Sequence, residues 1–187
     1  TLDGRRIALA GNIDSPGEIK NVLLNGAEGV GLYRTEFLYL NRNTLPSEDD
    51  HYRFYAKVAQ SVLPHPVILR TLDIGGDKLV DLGFPELNKS EQNPFLGLRG
   101  IRLALRHPDL FRTQLRAILR ASAHGKVRVM FPMVSGLEEF RSARKILNEC
   151  MEELRKENHP FDEKIEVGLM IEVPSAALVV DYLAQEA

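Results

Sequence analysis

Charged side chains follow three apolar runs of the sequence, at the point where each run ends. Arg34 closes the stretch VGLYR, Arg70 closes VILR, and Glu172 closes VGLMIE. A guanidinium can bind phosphate or carboxylate oxygens in bidentate fashion, and a carboxylate can hold a divalent cation that bridges to a phosphate. If these side chains meet, they predict a site for a phosphorylated carboxylic acid and Mg²⁺, with Glu36 bracing Arg34 or its loop. The alternative is that they form structural ion pairs within the loops.

A loop with two adjacent glycines follows the second of these arginines, with the sequence DIGGDK over residues 73–78. It lacks the G-x-x-x-x-G-K-[ST] spacing of a phosphate-binding P-loop. Its glycines therefore indicate a tight turn with close approach of the backbone. We expect Asp73, Asp77 and Lys78 to brace this loop through their charges rather than to take part in catalysis.

Five apolar runs alternate with amphipathic helical patterns along the chain. Strands are expected at residues 6–10, 29–33, 67–69, 127–131 and 167–171. Strands that are apolar throughout and alternate with helices indicate a parallel sheet covered by helices, which is an α/β fold. Because the carboxyl ends of parallel strands lie at one edge of the sheet, the charged residues that follow them are expected to converge there.

Two architectures fit this pattern, an open doubly wound sheet and a (β/α)8 TIM barrel. The first turn, GNIDSPG, lacks the G-x-G-x-x-G of nucleotide-binding doubly wound sheets. Polar residues at several strand ends are typical of barrels, so the barrel is favoured. A barrel has eight βα units and about 250 residues, whereas about five units can be counted here. We expect residues 1–187 to form one partial barrel domain that lacks the last strands, with bare edge strands that favour self-association.

Helix starts and one long connection complete the expected layout. Ser15 and Glu18 form a capping box around Pro16, and the sequence SGLE from Ser135 predicts a second capping box with Glu138. A connection over residues 79–100 is longer than ordinary loops, which makes it a candidate functional loop.

Composition excludes several functional classes. The 187 residues are 44% hydrophobic and 27% charged, with a formal net charge of −2, as in ordinary globular domains. This charge supplies no basic field for nucleic acid, and no apolar run reaches the roughly 20 residues of a membrane span. The single cysteine, Cys150, excludes an internal disulfide and favours a reducing compartment, so a cytoplasmic location is expected. We expect Cys150 to be a structural thiol and none of the five histidines to be catalytic.

Five stretches occur in an order that resembles a known family. They are GAEGVGLYRTEFLYL, RTLDIGGDK, NPFLGLRGIRLAL, LRAILRASAHGKVRVMFPM and GLMIEVPSAAL. Together they resemble the C-terminal phosphoenolpyruvate-binding barrel of Enzyme I, the phosphoenolpyruvate–protein phosphotransferase of the bacterial sugar phosphotransferase system, or of its nitrogen-related paralogue. The first stretch is shared with pyruvate phosphate dikinase and phosphoenolpyruvate synthase, whereas RTLDIGGDK is more specific to Enzyme I.

The resemblance implies a substrate, a cofactor and partners. It implies that the barrel binds phosphoenolpyruvate and Mg²⁺ and passes the phosphoryl group to a histidine on a separate N-terminal phosphohistidine domain, and then to a phosphocarrier protein. Arg34, Arg70 and Arg99 match family arginines that bind the substrate, and Glu172 matches one of two magnesium-binding carboxylates. The resemblance also implies a homodimer.

Several family features are absent from this sequence. The segment that carries the second metal-binding carboxylate, the later cysteine that handles the enolate proton, and the phosphohistidine motif do not occur, and Leu98 replaces a frequent tryptophan. We therefore expect half a substrate site, no complete catalytic set in this chain and no activity in isolation. Two alternatives are a non-catalytic binding or dimerisation module, and a fragment of a dikinase or synthase.

Overall fold

A five-stranded parallel sheet forms the centre of the computed structural model, which describes residues 1–39, 44–75 and 97–187. The strands are β1 (Gly11–Ile13), β2 (Val30–Arg34), β3 (Val67–Arg70), β4 (Val127–Phe131) and β5 (Glu166–Leu169). The helices are α1 (Ile19–Leu24), α2 (Glu48–Ser61), α3 (Gly100–Arg106), α4 (Pro108–Ser122), α5 (Leu137–Lys156), α6 (Pro174–Leu178) and α7 (Val180–Leu183). Short 3-10 turns cover Pro16–Glu18 and Thr35–Leu38.

The strands lie side by side in chain order, from β1 to β5, and every neighbouring pair is parallel. A doubly wound sheet reverses its strand order at the switch point where it binds ligands. The described strands show no such reversal, so their order agrees with successive units of a barrel. The α/β class and the parallel sheet are thus confirmed, and closure into a barrel remains a prediction.

The core lies between the sheet and the long helices. Phe131 on β4 makes edge-to-face contacts with Phe111 on α4 and Phe140 on α5, with ring centroids 5.9 Å and 6.0 Å apart. Tyr33 on β2 contacts Phe54 on α2 in the same way, at 6.0 Å. Because side chains alternate along a strand, Arg34 projects from the sheet face opposite Tyr33 and the helices.

The first strand differs from the sequence prediction. Residues 6–10 are exposed, and the strand occupies Gly11–Ile13, where Ile13 is buried. Helix α1 crosses so closely over β1 that a Cβ on Gly11 would lie 2.3 Å from Cγ1 of Val22. A glycine at position 11 permits this close approach, and the pairing with β2 begins at this residue, opposite Val30, beyond the apolar run that had suggested the strand.

Helix starts follow the sequence at one predicted capping box and depart from it at the other. The box of Ser15 and Glu18 is present, and the Ser15 amide donates to Oε1 of Glu18 at 2.8 Å. The predicted box of Ser135 and Glu138 is wrong, because Gly136 is the N-cap of α5. The Ser135 amide and hydroxyl both donate to Oε2 of Glu139, at 2.7 Å and 2.8 Å, one residue beyond the predicted partner.

Two further sequence expectations concern the cysteine and membranes. Cys150 is fully buried in α5, as a structural thiol should be. Burial raises the pKa of this thiol to about 12. Across the described ranges, no helix is both long and apolar enough to cross a membrane.

Candidate functional site

Arg34 and Arg70 lie at the carboxyl end of the sheet, as the sequence predicted. Each is the last residue of its strand, and the two are direct partners in the register of β2 and β3. Nη1 of Arg70 also lies 3.9 Å from the sulfur of Met170, which follows β5. Glu172 comes two residues later. The sheet therefore brings the predicted strand-end residues to one edge.

Arg34 is the exposed one of the two strand-end arginines. Its side chain is 49% exposed, and Nη1 forms an ion pair with Oδ1 of Asp14, which follows β1, at 3.2 Å. Exposed ion pairs contribute about 0–1 kcal/mol to stability because water competes for both partners. The guanidinium can therefore exchange Asp14 for an anionic ligand at small cost.

Arg70 is held in a largely buried cluster of opposite charges. Nη2 donates to Oε1 of Glu36 at 3.0 Å, and Nη1 pairs with Oδ2 of Asp73 at 3.1 Å. The other oxygen of Asp73, Oδ1, accepts from Nε of Arg99 at 3.1 Å. The cluster of Glu36, Arg70, Asp73 and Arg99 thus contains two guanidiniums and two carboxylates, which balance in charge. Burying two guanidiniums side by side requires such compensation.

Glu36 has a different partner from the one expected. It contacts Arg70 and accepts the backbone N–H of Asp73 at 2.9 Å, whereas Arg34 pairs with Asp14. Its second oxygen, Oε2, is buried and has no hydrogen-bond partner among the residues that the structure describes. Of the two roles expected for Glu36, bracing Arg34 or bracing its loop, the first is therefore wrong, because Glu36 braces Arg70 and the start of the loop after β3. Glu36 follows β2 in the turn Thr35–Leu38, and this turn directs it across the sheet towards the end of β3.

A buried polar network beneath this cluster was not predicted. Gln114 on α4 accepts the backbone N–H of Leu72 at 2.9 Å and donates to the hydroxyls of Thr35 and Tyr55 at 3.0 Å and 3.1 Å. The Thr35 hydroxyl in turn donates to the backbone carbonyl of Arg70 at 2.9 Å. This network fixes the loops after β2 and β3 to α4. A glutamine on the apolar face of an amphipathic helix was the sequence signal for it.

Arg99 is followed by a glycine that packs closely against the same cluster. Gly100 has φ +54°, and a Cβ there would lie 2.8 Å from Cγ of Met133 and 3.2 Å from Oδ1 of Asp73. Glycine adopts this conformation without the steric cost that a side chain would add. Arg99 also forms an isolated antiparallel bridge with Gly75. The bracing role expected for Asp73 is present, whereas Asp77, Lys78 and most of the 79–100 connection lie outside the described residues.

Glu172 is positioned by the loop after β4. Its Oε1 accepts the backbone N–H of Met133 at 2.7 Å. Met133 has φ +59° and is buried, and its side chain approaches Gly100. The loops that carry Arg99 and Glu172 are thus in contact through Met133. Glu172 itself is exposed.

Comparison with known proteins shows which family the chain belongs to. The family model described as "PEP-utilising enzyme, PEP-binding domain" matches residues 1–187. The chain belongs to this family. It is 51% identical over 186 residues to a phosphoenolpyruvate-protein phosphotransferase from Geobacillus stearothermophilus, and 50% identical over 186 residues to one from Priestia megaterium. It is 49% identical over 187 residues to one from Staphylococcus aureus. The matches cover 100% of this chain and 32% of each relative, so the chain spans about a third of their length.

A PEP-binding domain of this family raises the question of a metal. Within residues 1–39, 44–75 and 97–187, no group of three or more His, Cys, Asp or Glu side chains is arranged to hold a metal ion. Mg²⁺ nevertheless needs few protein ligands, because it is commonly bound by one or two carboxylates together with substrate phosphate and water. The exposed carboxylate of Glu172, fixed through one oxygen by Met133, fits the role of one such ligand.

Proposed function

We propose that this chain is the phosphoenolpyruvate-binding part of a phosphoenolpyruvate–protein phosphotransferase, the activity that its relatives are named for. The phosphoryl group would pass to a histidine on a separate domain and then to a phosphocarrier protein. The observation that carries the proposal is the direct pairing of Arg34 and Arg70 at the carboxyl edge of the sheet, with Arg99 joined to Arg70 through Asp73. The relatives' names do not favour a dikinase or a non-catalytic module.

The arginines would bind the substrate and stabilise the reacting phosphoryl group. Phosphoryl transfer proceeds through a loose transition state with charge spread over the phosphoryl oxygens, so catalysis depends on positioning and electrostatic stabilisation. Arg34 would change partner from Asp14 to a phosphate oxygen, while Arg70 and Arg99 would offer N–H donors from a prearranged cluster. Such fixed donors need no reorganisation as the bond to the enolate oxygen loosens.

Glu172 would contribute one ligand to Mg²⁺. The bound ion would neutralise phosphate charge and orient the substrate. The hydrogen bond from the Met133 amide to Oε1 holds the carboxylate at the same sheet edge as the arginines, and this position supports the role.

The five βα units would form part of a (β/α)8 barrel, with further units pairing along the outer edges of β1 and β5, the first and last strands of the described sheet. We expect the remaining site residues on those units, so this chain would hold half a site and be inactive in isolation. The proposal includes a homodimer; light scattering that shows a concentration-independent monomer would contradict it. The cytoplasmic location expected from the sequence stays a prediction.

Labelling tests the proposed activity directly. The full-length gene product that contains this chain would be incubated with phosphoenolpyruvate labelled with ³²P in the phosphoryl group, with Mg²⁺ or with a chelator. We expect acid-labile, base-stable label on histidine that requires Mg²⁺, and no label on residues 1–187 alone. An unlabelled full-length protein would refute the proposed function, and a labelled isolated chain would refute the division of the site between domains.

A further inference from the structure

We propose that Asp73 is a positioning residue that couples two substrate arginines, an inference that rests on the proposed function. Its side chain is 5% exposed, and each carboxylate oxygen contacts a different guanidinium. Oδ2 lies 3.1 Å from Nη1 of Arg70, and Oδ1 lies 3.1 Å from Nε of Arg99. A single carboxylate therefore sets the relative position of two arginines that are 29 residues apart in the sequence (99 − 70).

The surroundings fix Asp73 itself from two sides. Its backbone N–H donates to Oε1 of Glu36 at 2.9 Å, and the same oxygen accepts Nη2 of Arg70 at 3.0 Å. Oδ1 also lies against Gly100, where a Cβ would be 3.2 Å away. Because both the backbone and the carboxylate of Asp73 are engaged, the two guanidiniums are held before any substrate arrives.

Two carboxylates in this cluster differ in a way that an experiment can use. Glu36 accepts both of its hydrogen bonds through Oε1, so the amide oxygen of a glutamine can accept both as well. Asp73 uses both oxygens, so an asparagine can accept from one arginine and must turn its NH₂ group, a donor, towards the other. Glu36→Gln thus removes a charge and keeps the geometry, whereas Asp73→Asn removes the same charge and breaks the bridge.

The two substitutions have opposite expected effects on substrate binding. Removing a negative charge from an anion site strengthens anion binding by Coulomb attraction. If Asp73 acted through its charge, both variants would bind phosphoenolpyruvate as tightly as the unaltered protein or more tightly. If it positions the arginines, Asp73→Asn weakens binding about tenfold, the loss expected for one misplaced charge-assisted hydrogen bond, while Glu36→Gln does not weaken it.

Titration calorimetry of phosphoenolpyruvate into the full-length gene product tests this contrast, with thermal melting to confirm that each variant is folded. Asp14→Asn is the matched control, since Asp14 pairs with the exposed Arg34 and bridges no second arginine in the described contacts. We expect Asp14→Asn to bind phosphoenolpyruvate as tightly as the unaltered protein or up to about fivefold more tightly, because it removes a carboxylate that competes for Arg34. Equal losses in Glu36→Gln and Asp73→Asn, or no loss in Asp73→Asn, would overturn the inference while leaving the proposed function intact. Absence of binding by the unaltered protein would refute the proposed function and this inference with it.

A second measurement needs no Asp73 variant and no substrate. Nitrogen-15 NMR of arginine side chains reports how fast each Nε–H exchanges with water. The bridge predicts slow exchange for the Nε–H of Arg99, which donates to Asp73, and fast exchange for that of Arg34, whose contact with Asp14 is through Nη1. Equally fast exchange at both sites would contradict the bridge. Because this measurement uses the unaltered protein, it tests the inference even if Asp73→Asn does not fold.

Discussion

Replacing Gln114 by leucine tests the buried network that holds the site loops. Leucine fills about the same volume as glutamine, although it is branched and shorter, so the substitution opens little space while removing three hydrogen bonds. Gln114 is 1% exposed, and the N–H of Leu72 that it accepts is buried too. The hydroxyls of Thr35 and Tyr55 keep their other partners, the carbonyl of Arg70 and Nδ1 of His51.

The size of the effect follows from which group is left without a partner. A buried donor that loses its acceptor costs about 1–3 kcal/mol, and a lost hydrogen bond between groups that keep another partner costs about 0.5–1.5 kcal/mol. The Leu72 amide belongs to the first kind and the two hydroxyl contacts to the second. Part of the loss is offset because leucine buries more apolar surface. We expect Gln114→Leu to lower the free energy of unfolding by about 3 kcal/mol.

Thermal unfolding followed by circular dichroism measures this loss. For a chain of this size, 3 kcal/mol corresponds to a decrease in Tm of roughly 6–12 °C. Thr113→Ala is the matched control on the same helix, because the exposed Thr113 hydroxyl bonds the carbonyl of Asp109 one turn earlier. We expect a change below about 0.5 kcal/mol there. A Tm for Gln114→Leu within about 2 °C of that of Thr113→Ala, together with unchanged amide protection at Leu72, would refute the reasoning.

Three further predictions concern single residues. Cys150 should not react with Ellman's reagent at pH 8 until urea is added, because its thiol is buried with a pKa of about 12; rapid reaction of the folded protein would contradict this. The hydrogen bond from Ser15 lowers the pKa of Glu18 in the folded protein. The stabilisation by the ionised Glu18 is therefore fully present above the usual pKa of a glutamate, and it is lost as the pH falls through the lowered pKa. Glu18→Gln should therefore reduce the fall in Tm between about pH 5 and pH 3, and an unchanged pH profile would count against the cap. Gly100→Ala should cost about 1–3 kcal/mol in urea unfolding, since Gly100 has φ +54° and faces Met133; an unchanged midpoint would show that the loop can rearrange freely.

The strand ends could be predicted from the sequence because they depend on local pattern. Apolar runs marked β2, β3 and β4 to within one residue at each end, and their parallel arrangement implied that Arg34 and Arg70 would be neighbours. The first strand could not be placed in this way. Gly11 pairs with β2 and packs closely under Val22 of α1, and both are tertiary contacts that an apolar run in the sequence does not reveal.

The partners of the charged residues were harder to predict than their positions. Glu36 is two residues from Arg34 in the sequence, yet a 3-10 turn directs it to Arg70 on the next strand. Asp73 meets Arg99 from 26 residues away. Sequence spacing indicates which residues reach the sheet edge, but ion pairs there depend on turn geometry and side-chain direction. Gln114 could have been suspected, because it interrupts an apolar helix face with a group that needs hydrogen bonds.

One comparison tests most directly whether the carboxyl edge of the sheet binds phosphoenolpyruvate. Arg34 and Arg128 are matched, since they are 49% and 42% exposed and pair with a carboxylate at 3.2 Å and 3.0 Å. They differ in position: Arg34 ends β2, whereas Arg128 lies near the start of β4. The substrate affinity of the full-length gene product would be measured by calorimetry for Arg34→Gln and Arg128→Gln. The account predicts a loss of about 10- to 100-fold for Arg34→Gln and less than about threefold for Arg128→Gln. Equal losses, or a larger loss for Arg128→Gln, would contradict it.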